Sequence, residues 1–243
     1  MTTLYMLELR IDLPLLLRFL QGQGLDIRDG DEDLGYGIPG WLAATFGPLA
    51  PKPWRLFVGR GRPPRILGYG RADAEQLRRR LRELAEPASA AVCPDPETMI
   101  AGKAMPSWRH GRRLGFEVLC CPVGRKAEGG IEKDLFLIRA DSAPPGALTR
   151  DRVYSDWVRE RLERQGACTV TSIRLEGFRL VRQTRRVQGS RHGRGQRHIT
   201  RPQALLRGEL MVGDPEAFAS LLCKGIGRHR AFGYGMVLLR PPS

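Results

Sequence analysis

The sequence predicts an α+β fold built from two similar halves, each in the order strand, helix, two strands, helix, strand. The chain has 243 residues, a length that suits one large domain or two small ones. Hydrophobic residues make up 42% of it, which is enough for a substantial core. Short β-prone runs also alternate with amphipathic helical runs along the chain. No strict sequence repeat is visible, so the two halves would share only their fold.

The first half, residues 1–110, begins with alternating apolar residues that predict a strand at 3–11. Asp12 can cap a helix that reaches about residue 20, and Asp73 can cap another at 74–85. The second of these helices carries leucines on one face and arginines on the other, and we interpret the arginine face as solvated. The remaining predictions are a helix at 40–46, strands at 54–58 and 65–69, and a loose crossing between the halves at 86–106.

The second half, residues 111–243, has strand candidates at 114–123 and 134–139, on either side of a turn rich in glycine and charge. Thr149 or Asp151 can cap a helix that runs to about residue 165. Residues 168–180 are β-prone. Asp214, followed by Pro215, predicts the start of a helix that ends at Gly225. The apolar run 236–239 predicts a buried last strand.

Charge is the most unusual feature of the composition. The chain has 40 Lys and Arg residues against 26 Asp and Glu, a formal net charge of +14, and all but five of the cations are arginines. Such an excess indicates a polyanionic partner, and arginine favours phosphate and nucleobases because its planar guanidinium binds bidentately and stacks. The chain contains no apolar run long enough for a membrane span and no secretion signal. We therefore expect a cytoplasmic protein with reduced, buried cysteines.

The segment 179–201 concentrates this charge, with eight arginines, two histidines and no acidic residue. Binding a phosphate backbone would relieve the repulsion among these groups. Because glycines interrupt its centre, we expect an arm or hairpin that becomes ordered on nucleic acid. The alternative is a basic loop that is merely solvated. The candidate RNA-binding residues in this segment are Arg179, Arg182, Arg185, Arg186, Arg191, His192, Arg194, Arg197, His198 and Arg201.

A glycine-rich loop at 225–235 is the second candidate. It follows a helix and precedes a strand, which is the reverse of the order in a dinucleotide-binding loop. Its glycines could let the backbone approach a ligand closely, and basic residues flank it. A tight structural turn explains the glycines equally well. The additional RNA-binding candidates here are Lys224, Arg228 and Arg230.

Other catalytic classes find little support in the sequence. It contains no G-x-S-x-G elbow, no P-loop and no H-E-x-x-H motif. The cysteines and histidines are not clustered at zinc-ligand spacing. The acidic run at residues 31–33 is better explained as a solvated loop than as a metal site. We therefore expect neither a metal nor an organic cofactor.

The chain resembles the CasE-type CRISPR RNA endoribonucleases. The most specific match is to the family's C-terminal glycine-rich loop and last strand, and weaker matches follow the family's order along nearly the whole chain. The matching segments are 33–36, 46–54, 103–106, 111–117, 154–157 and 225–242. The resemblance implies two tandem ferredoxin-like domains that bind the hairpin of a CRISPR repeat, cut at its 3′ base and stay bound within a multisubunit interference complex.

One departure from the family affects the expected chemistry. The family pattern near the first helix is Tyr-x-x-His, and the resemblance implies that this pair acts as acid and base. Here the Tyr is present as Tyr36, but Pro39, which cannot exchange a proton, stands at the His position. This resembles the divergent processing enzymes of type IV CRISPR systems.

The expected activity is a metal-independent endoribonuclease with Tyr36 and His229 as catalytic candidates and arginines stabilising the transition state. Its expected partners are the precursor CRISPR RNA hairpin and other CRISPR-associated subunits. Two alternatives remain open. One is a scaffold subunit that binds the hairpin without cutting it. The other is a DNA-binding regulator, although no helix-turn-helix pattern with a basic second helix is present.

Overall fold

The structure is a computed structural model that describes residues 3–25, 30–59, 61–125, 132–144, 146–187 and 195–242. The side chains of residues 30–33, 36 and 182–199 lie outside this description. The chain divides into two compact units. The first comprises Met1–Pro106, Arg182–Ile199 and Ala231–Gly233, and the second comprises Ser107–Val181, Thr200–Arg230 and Tyr234–Ser243. The domain limits expected from the sequence, 1–110 and 111–243, stay a prediction.

The first unit contains a four-stranded antiparallel sheet in the order β2-β3-β1-β4. This is the strand order of a ferredoxin-like fold, with a helical connection after β1 and another after β3. The elements are β1 (Tyr5–Arg10), α1 (Leu13–Gly22), α2 (Gly30–Phe46), β2 (Trp54–Gly59), β3 (Arg62–Gly70), α3 (Ala74–Leu84), α4 (Pro87–Ala90), α5 (Pro96–Met99) and β4 (Ile100–Ala104).

Local sequence signals begin the helices of this unit as expected. The Asp12 side chain accepts a hydrogen bond from the Leu15 amide at the start of α1. At the start of α3, Asp73 and Gln76 form a reciprocal capping box. Leucines of β1, α1 and α3 are buried in one core beneath the sheet.

The second unit repeats the arrangement in a sheet of order β10-β5-β9-β8, and a separate two-stranded sheet pairs β6 with β7. Two tandem ferredoxin-like domains, as predicted, are therefore confirmed. The elements are β5 (Arg113–Cys120), β6 (Val123–Arg125), β7 (Glu132–Asp134), α6 (Leu135–Ala140), α7 (Arg150–Leu162), β8 (Cys168–Val187), β9 (Gly195–Val212), α8 (Pro215–Lys224) and β10 (Val237–Arg240).

Three sequence-based expectations about the elements of the two units are wrong. The segment 134–139, expected as a strand, forms α6, because the Asp134 side chain accepts a hydrogen bond from the Phe136 amide and caps a helix there. The stretch 86–106, expected as a loose crossing, contains two helical turns and the edge strand β4. In addition, α2 begins ten residues earlier than predicted and continues through Pro39.

The arginine face of α3 is held by specific partners. Arg78 donates to the carbonyl of Ile100 at 2.7 Å, and Arg82 pairs with Glu75 and Glu97. These contacts join α3 to α5 and to the first residue of β4, so part of this face has a structural role.

All five cysteines are free thiols, and four of them are buried. Burial raises the pKa of Cys93 and Cys121 to about 12, so these thiols remain protonated at neutral pH. Across the described residues, no helix combines the length and the apolar character needed to cross a membrane.

Candidate nucleic-acid interface

The glycine-rich loop between α8 and β10 is tightly folded. The Ile226 amide donates to the Gly235 carbonyl at 2.9 Å, which closes the loop on itself. A Cβ atom at Gly235 would lie 2.0 Å from the Ile226 carbonyl oxygen, and one at Gly227 would lie 2.6 Å from the Trp157 ring. Both glycines also have positive φ, at 76° and 72°. Larger residues therefore cannot occupy these positions without moving the loop.

A largely buried carboxylate, Glu132 at the start of β7, organises the basic side chains of this loop. Its oxygens lie 2.7 Å from Arg201, 3.0 Å from Arg228 and 2.8 Å from His229 Nε2. The side chains of Glu132 and Arg201 are each only 10% exposed. Burial acts to raise the pKa of Glu132, but the hydrogen bond from His229 and the charges of its neighbours lower that pKa below its usual value. Glu132 is thus an ionised group that links β7, β9 and the loop.

His229 occupies an unusual backbone conformation in this cluster. Its φ of 60° lies in the left-handed region, which costs a non-glycine residue about 1–2 kcal/mol. Burial lowers the pKa of His229; its bond to Glu132 opposes that effect, and the charges of Arg201 and Arg228 add to it. The net direction is downward, so the imidazole is mainly neutral at neutral pH. A strained, partly buried histidine held by a carboxylate is typical of a functional site.

We expect acidification to destabilise the protein through this cluster. A histidine whose pKa is lowered in the folded state contributes stability that is present above its unfolded pKa and is lost as the pH falls through the folded value. The lowered pKa of Glu132 acts in the same direction at still lower pH. Between about pH 8 and pH 5, urea unfolding should therefore show a loss of stability, and His229→Asn should show less than half of it. If the unmodified protein and His229→Asn lost the same free energy of unfolding over this pH range, the assignment of the pH effect to His229 would be wrong.

The other basic candidates are distributed unevenly. Arg201 is buried against Glu132 and is not available at the surface, so its position favours a structural role. Arg228 is 45% exposed, and Lys224 is exposed. Arg230 donates to the Lys224 carbonyl at 2.7 Å, and exposed Arg179 is bonded to Gln203. Residues 188–194, and all side chains from 182 to 199, lie outside the described part; these include Arg182, Arg185, Arg186, Arg191, His192, Arg194, Arg197 and His198.

The described backbone within this arginine-rich segment, 179–201, is extended. β8 reaches Val187 and β9 begins at Gly195, and the two strands are neighbours in the sheet. The two ends of the arm expected from the sequence, 179–201, therefore lie in neighbouring strands, as in a hairpin.

Tyr36 lies in α2, but its side chain is outside the described residues. The adjacent Gly35 is close to the segment 231–233 of the glycine-rich loop, since a Cβ on it would lie 3.6 Å from the Phe232 carbonyl oxygen. The Trp54 indole donates to the Ala231 carbonyl at 3.1 Å. Within the first unit, therefore, the turn of α2 that carries Tyr36 is next to part of the loop.

Sequence reasoning missed Glu132 and the partnership of Arg201 with it. No local pattern marks Glu132, because its partners are 69 or more positions away along the chain.

Among the described residues, no group of three or more His, Cys, Asp or Glu side chains could hold a metal ion.

A family model described as "CRISPR associated protein" matches residues 5–241. The chain belongs to this CRISPR-associated protein family. No curated protein matches it.

Solved structures similar to this CRISPR-associated protein share its fold at low sequence identity. One is a CRISPR endoribonuclease Cse3 bound to 19 nt RNA, with a TM-score of 0.66 and 19% identity over 98% of this chain and 100% of that one. Another is Thermus thermophilus Cse3 bound to an RNA representing a pre-cleavage complex, with a TM-score of 0.56 and 20% identity over the same shares. A chain of a CRISPR RNA-guided surveillance complex, in a pre-nicking state, has a TM-score of 0.55 and 15% identity over 97% of this chain and 100% of that one. The fold of this CRISPR-associated protein is therefore shared along almost its entire length.

Proposed function

We propose that this protein binds the hairpin of a CRISPR repeat in precursor CRISPR RNA, cuts it once, and keeps the product as a subunit of an effector complex. The observation that carries the proposal is the fold shared, over 98% of the chain, with a CRISPR endoribonuclease bound to RNA. The similarity to a chain of an RNA-guided surveillance complex supports the effector-complex role. The net charge of +14 supports a polyanionic partner.

The proposed reaction needs no metal ion. The ribose 2′-oxygen loses its proton and attacks the adjacent phosphorus in line, the bond from phosphorus to the 5′-oxygen breaks, and that oxygen takes up a proton. The products are a 2′,3′-cyclic phosphate and a 5′-hydroxyl end. General acid–base help contributes about 10²–10⁴-fold to such a step. Positioning and stabilisation of charge can exceed that contribution.

The catalytic candidates are Tyr36 and His229. We assign Tyr36 to proton transfer or to orienting the 2′-hydroxyl, and arginines to stabilising the charge on the pentavalent phosphorus. The lowered pKa of His229 leaves it neutral and able to accept a proton, and Glu132 fixes its ring at 2.8 Å. Pro39 lies in α2 where the family pattern has a histidine, so we expect slow cleavage suited to a single turnover. This departure is also why we propose a type IV system.

Incubating repeat RNA with the protein in EDTA tests this function. The proposal predicts one cut at the base of the stem, with a 2′,3′-cyclic phosphate detected by mass spectrometry. Cleavage only after Mg²⁺ addition, or at random positions, would overturn the mechanism. RNA that stays intact and bound would favour the alternative function, a scaffold that binds the hairpin without cutting it. Pro39 supports this alternative because proline cannot exchange a proton.

Tyr36→Phe is expected to slow cleavage more than it weakens binding. The substitution removes only the hydroxyl, so proton transfer or 2′-hydroxyl orientation is lost, a cost of about 10²-fold in rate. Gel shift and single-turnover cleavage measure the two effects separately. Tyr5→Phe, on β1, is the matched control and should change neither. A parallel loss of binding and rate in Tyr36→Phe would remove Tyr36 from the catalytic residues.

A further inference from the structure

A cleft between the C-terminal ends of α7 and α8 is not used by the proposed cleavage chemistry. Its volume is about 510 Å³, within the usual range for a site that holds a nucleotide-sized ligand. The first residues of the glycine-rich loop complete its wall. The cationic side chains among the described residues that line it are Arg161, Arg164, Lys224, Arg228 and Arg230, and none of the described lining residues is acidic.

The cleft has more cationic side chains than there are carboxylates paired with them. Glu160 lies 3.0 Å from Arg164 and 3.6 Å from Arg161, and Glu132 lies 3.0 Å from Arg228. Five cations therefore share two described carboxylates. The negative ends of the two helices supply only about half an elementary charge each. The cleft stays electropositive, which favours a phosphate-bearing ligand.

Arg161 is fixed against an aromatic ring in the cleft. Its guanidinium carbon lies 4.0 Å from the centre of the Trp157 ring, and its Nη1 donates to the Trp157 carbonyl at 3.0 Å. The side chain is 22% exposed, and it lines the cleft. A guanidinium fixed over an indole ring is a planar cation of the kind on which nucleobases stack. Arg230, fixed by its bond to the Lys224 carbonyl, lines the same cleft.

We propose that this cleft binds an unpaired nucleotide of the RNA, with the base on Arg161 and phosphates at Arg164, Lys224 and Arg230. A paired stem cannot supply this ligand, because its bases are stacked on one another, whereas the bases of a single strand are free to stack on protein. The inference rests on the proposal that the protein binds CRISPR RNA, and it adds a second site, for a segment outside the hairpin.

A short single strand tests the cleft independently of the hairpin. The probe is hexauridylate with one 4-thiouridine, cross-linked by light to the full-length protein and mapped by mass spectrometry. We expect cross-links to the C-terminal turn of α7 or to residues 225–230. Arg164→Ala and Arg161→Lys should each lower this cross-linking and the probe affinity by about fivefold or more, because one loses a phosphate contact and the other a stacking surface.

The matched control is Arg152→Ala, an exposed arginine on the same helix that does not line the cleft. It should leave the probe affinity unchanged, and none of the three variants should alter binding of a repeat hairpin without flanking nucleotides by more than about twofold. Cross-links elsewhere, or equal losses in Arg164→Ala and Arg152→Ala, would overturn the proposed site. If the cleft binds the probe but the protein shows no preference for the repeat hairpin, the proposed function is wrong, whereas the proposed nucleotide site in the cleft is supported.

Discussion

Glu132→Gln is expected to lower the free energy of unfolding by about 3–5 kcal/mol, the usual cost of removing one partner from a buried ion pair. The amide keeps the shape of the side chain but removes the charge that Arg201 faces at 2.7 Å, and Arg201 is itself only 10% exposed. Arg228 and His229 bond different oxygens of Glu132, so the change also replaces the acceptor of one of them with an amide NH2 donor. Urea unfolding at neutral pH measures the loss.

The control for this substitution is Glu83→Gln, which removes the same charge from an exposed position on α3. It should change the free energy of unfolding by less than about 0.5 kcal/mol. If Glu132→Gln changed the free energy of unfolding as little as this control, Glu132 would not stabilise the loop as its contacts indicate.

Neutralising four arginines of the arm, Arg185, Arg186, Arg191 and Arg194, is expected to weaken hairpin binding by about two orders of magnitude at low salt. Each lost phosphate contact removes about 0.7–0.9 from the slope of log K against log salt concentration, so the slope should fall by about three. Fluorescence anisotropy over a series of salt concentrations gives both quantities.

The comparison variant changes the net charge by the same amount elsewhere. It replaces four exposed arginines outside the arm and the glycine-rich loop with alanine: Arg62, Arg79, Arg109 and Arg152. The salt slope of this variant should stay near that of the unmodified protein. Equal slopes in the arm variant and the unmodified protein would show that the arm does not contact the RNA backbone.

Features set by neighbouring residues could be predicted from the sequence. The cap at Asp73 and the leucine stripe after it define α3 within a few residues, and Asp214 with Pro215 defines the start of α8 in the same way. The order of such elements was enough to predict two β-α-β-β-α-β halves. The glycine-rich loop could be found by composition, although its closed conformation depends on the contact between Ile226 and Gly235.

Features set by distant residues could not be predicted. The strand β4 has one buried residue in five and no alternation, and it is a strand because it pairs with β1. The apolar run of α6 suits a strand or a helix equally, and the cap supplied by Asp134 decides between them. From the sequence alone, Arg201 is interpreted as one cation of a basic arm. In the structure it forms an ion pair with Glu132, which lies 69 positions earlier in the chain.

Competition between RNAs tests the central proposal most directly. Labelled CRISPR repeat stem-loop, bound to the protein at physiological salt, is challenged with unlabelled stem-loop, with a hairpin of scrambled sequence and with a DNA of the repeat sequence. We predict that the repeat stem-loop displaces the label at concentrations at least about 10²-fold lower than either of the others. The DNA lacks the 2′-hydroxyls and the A-form shape, and the scrambled hairpin lacks the repeat's own bases in its loop and at its ends, where a protein can contact them. Equal displacement by all three would contradict the account, because only nonspecific charge would then hold the RNA.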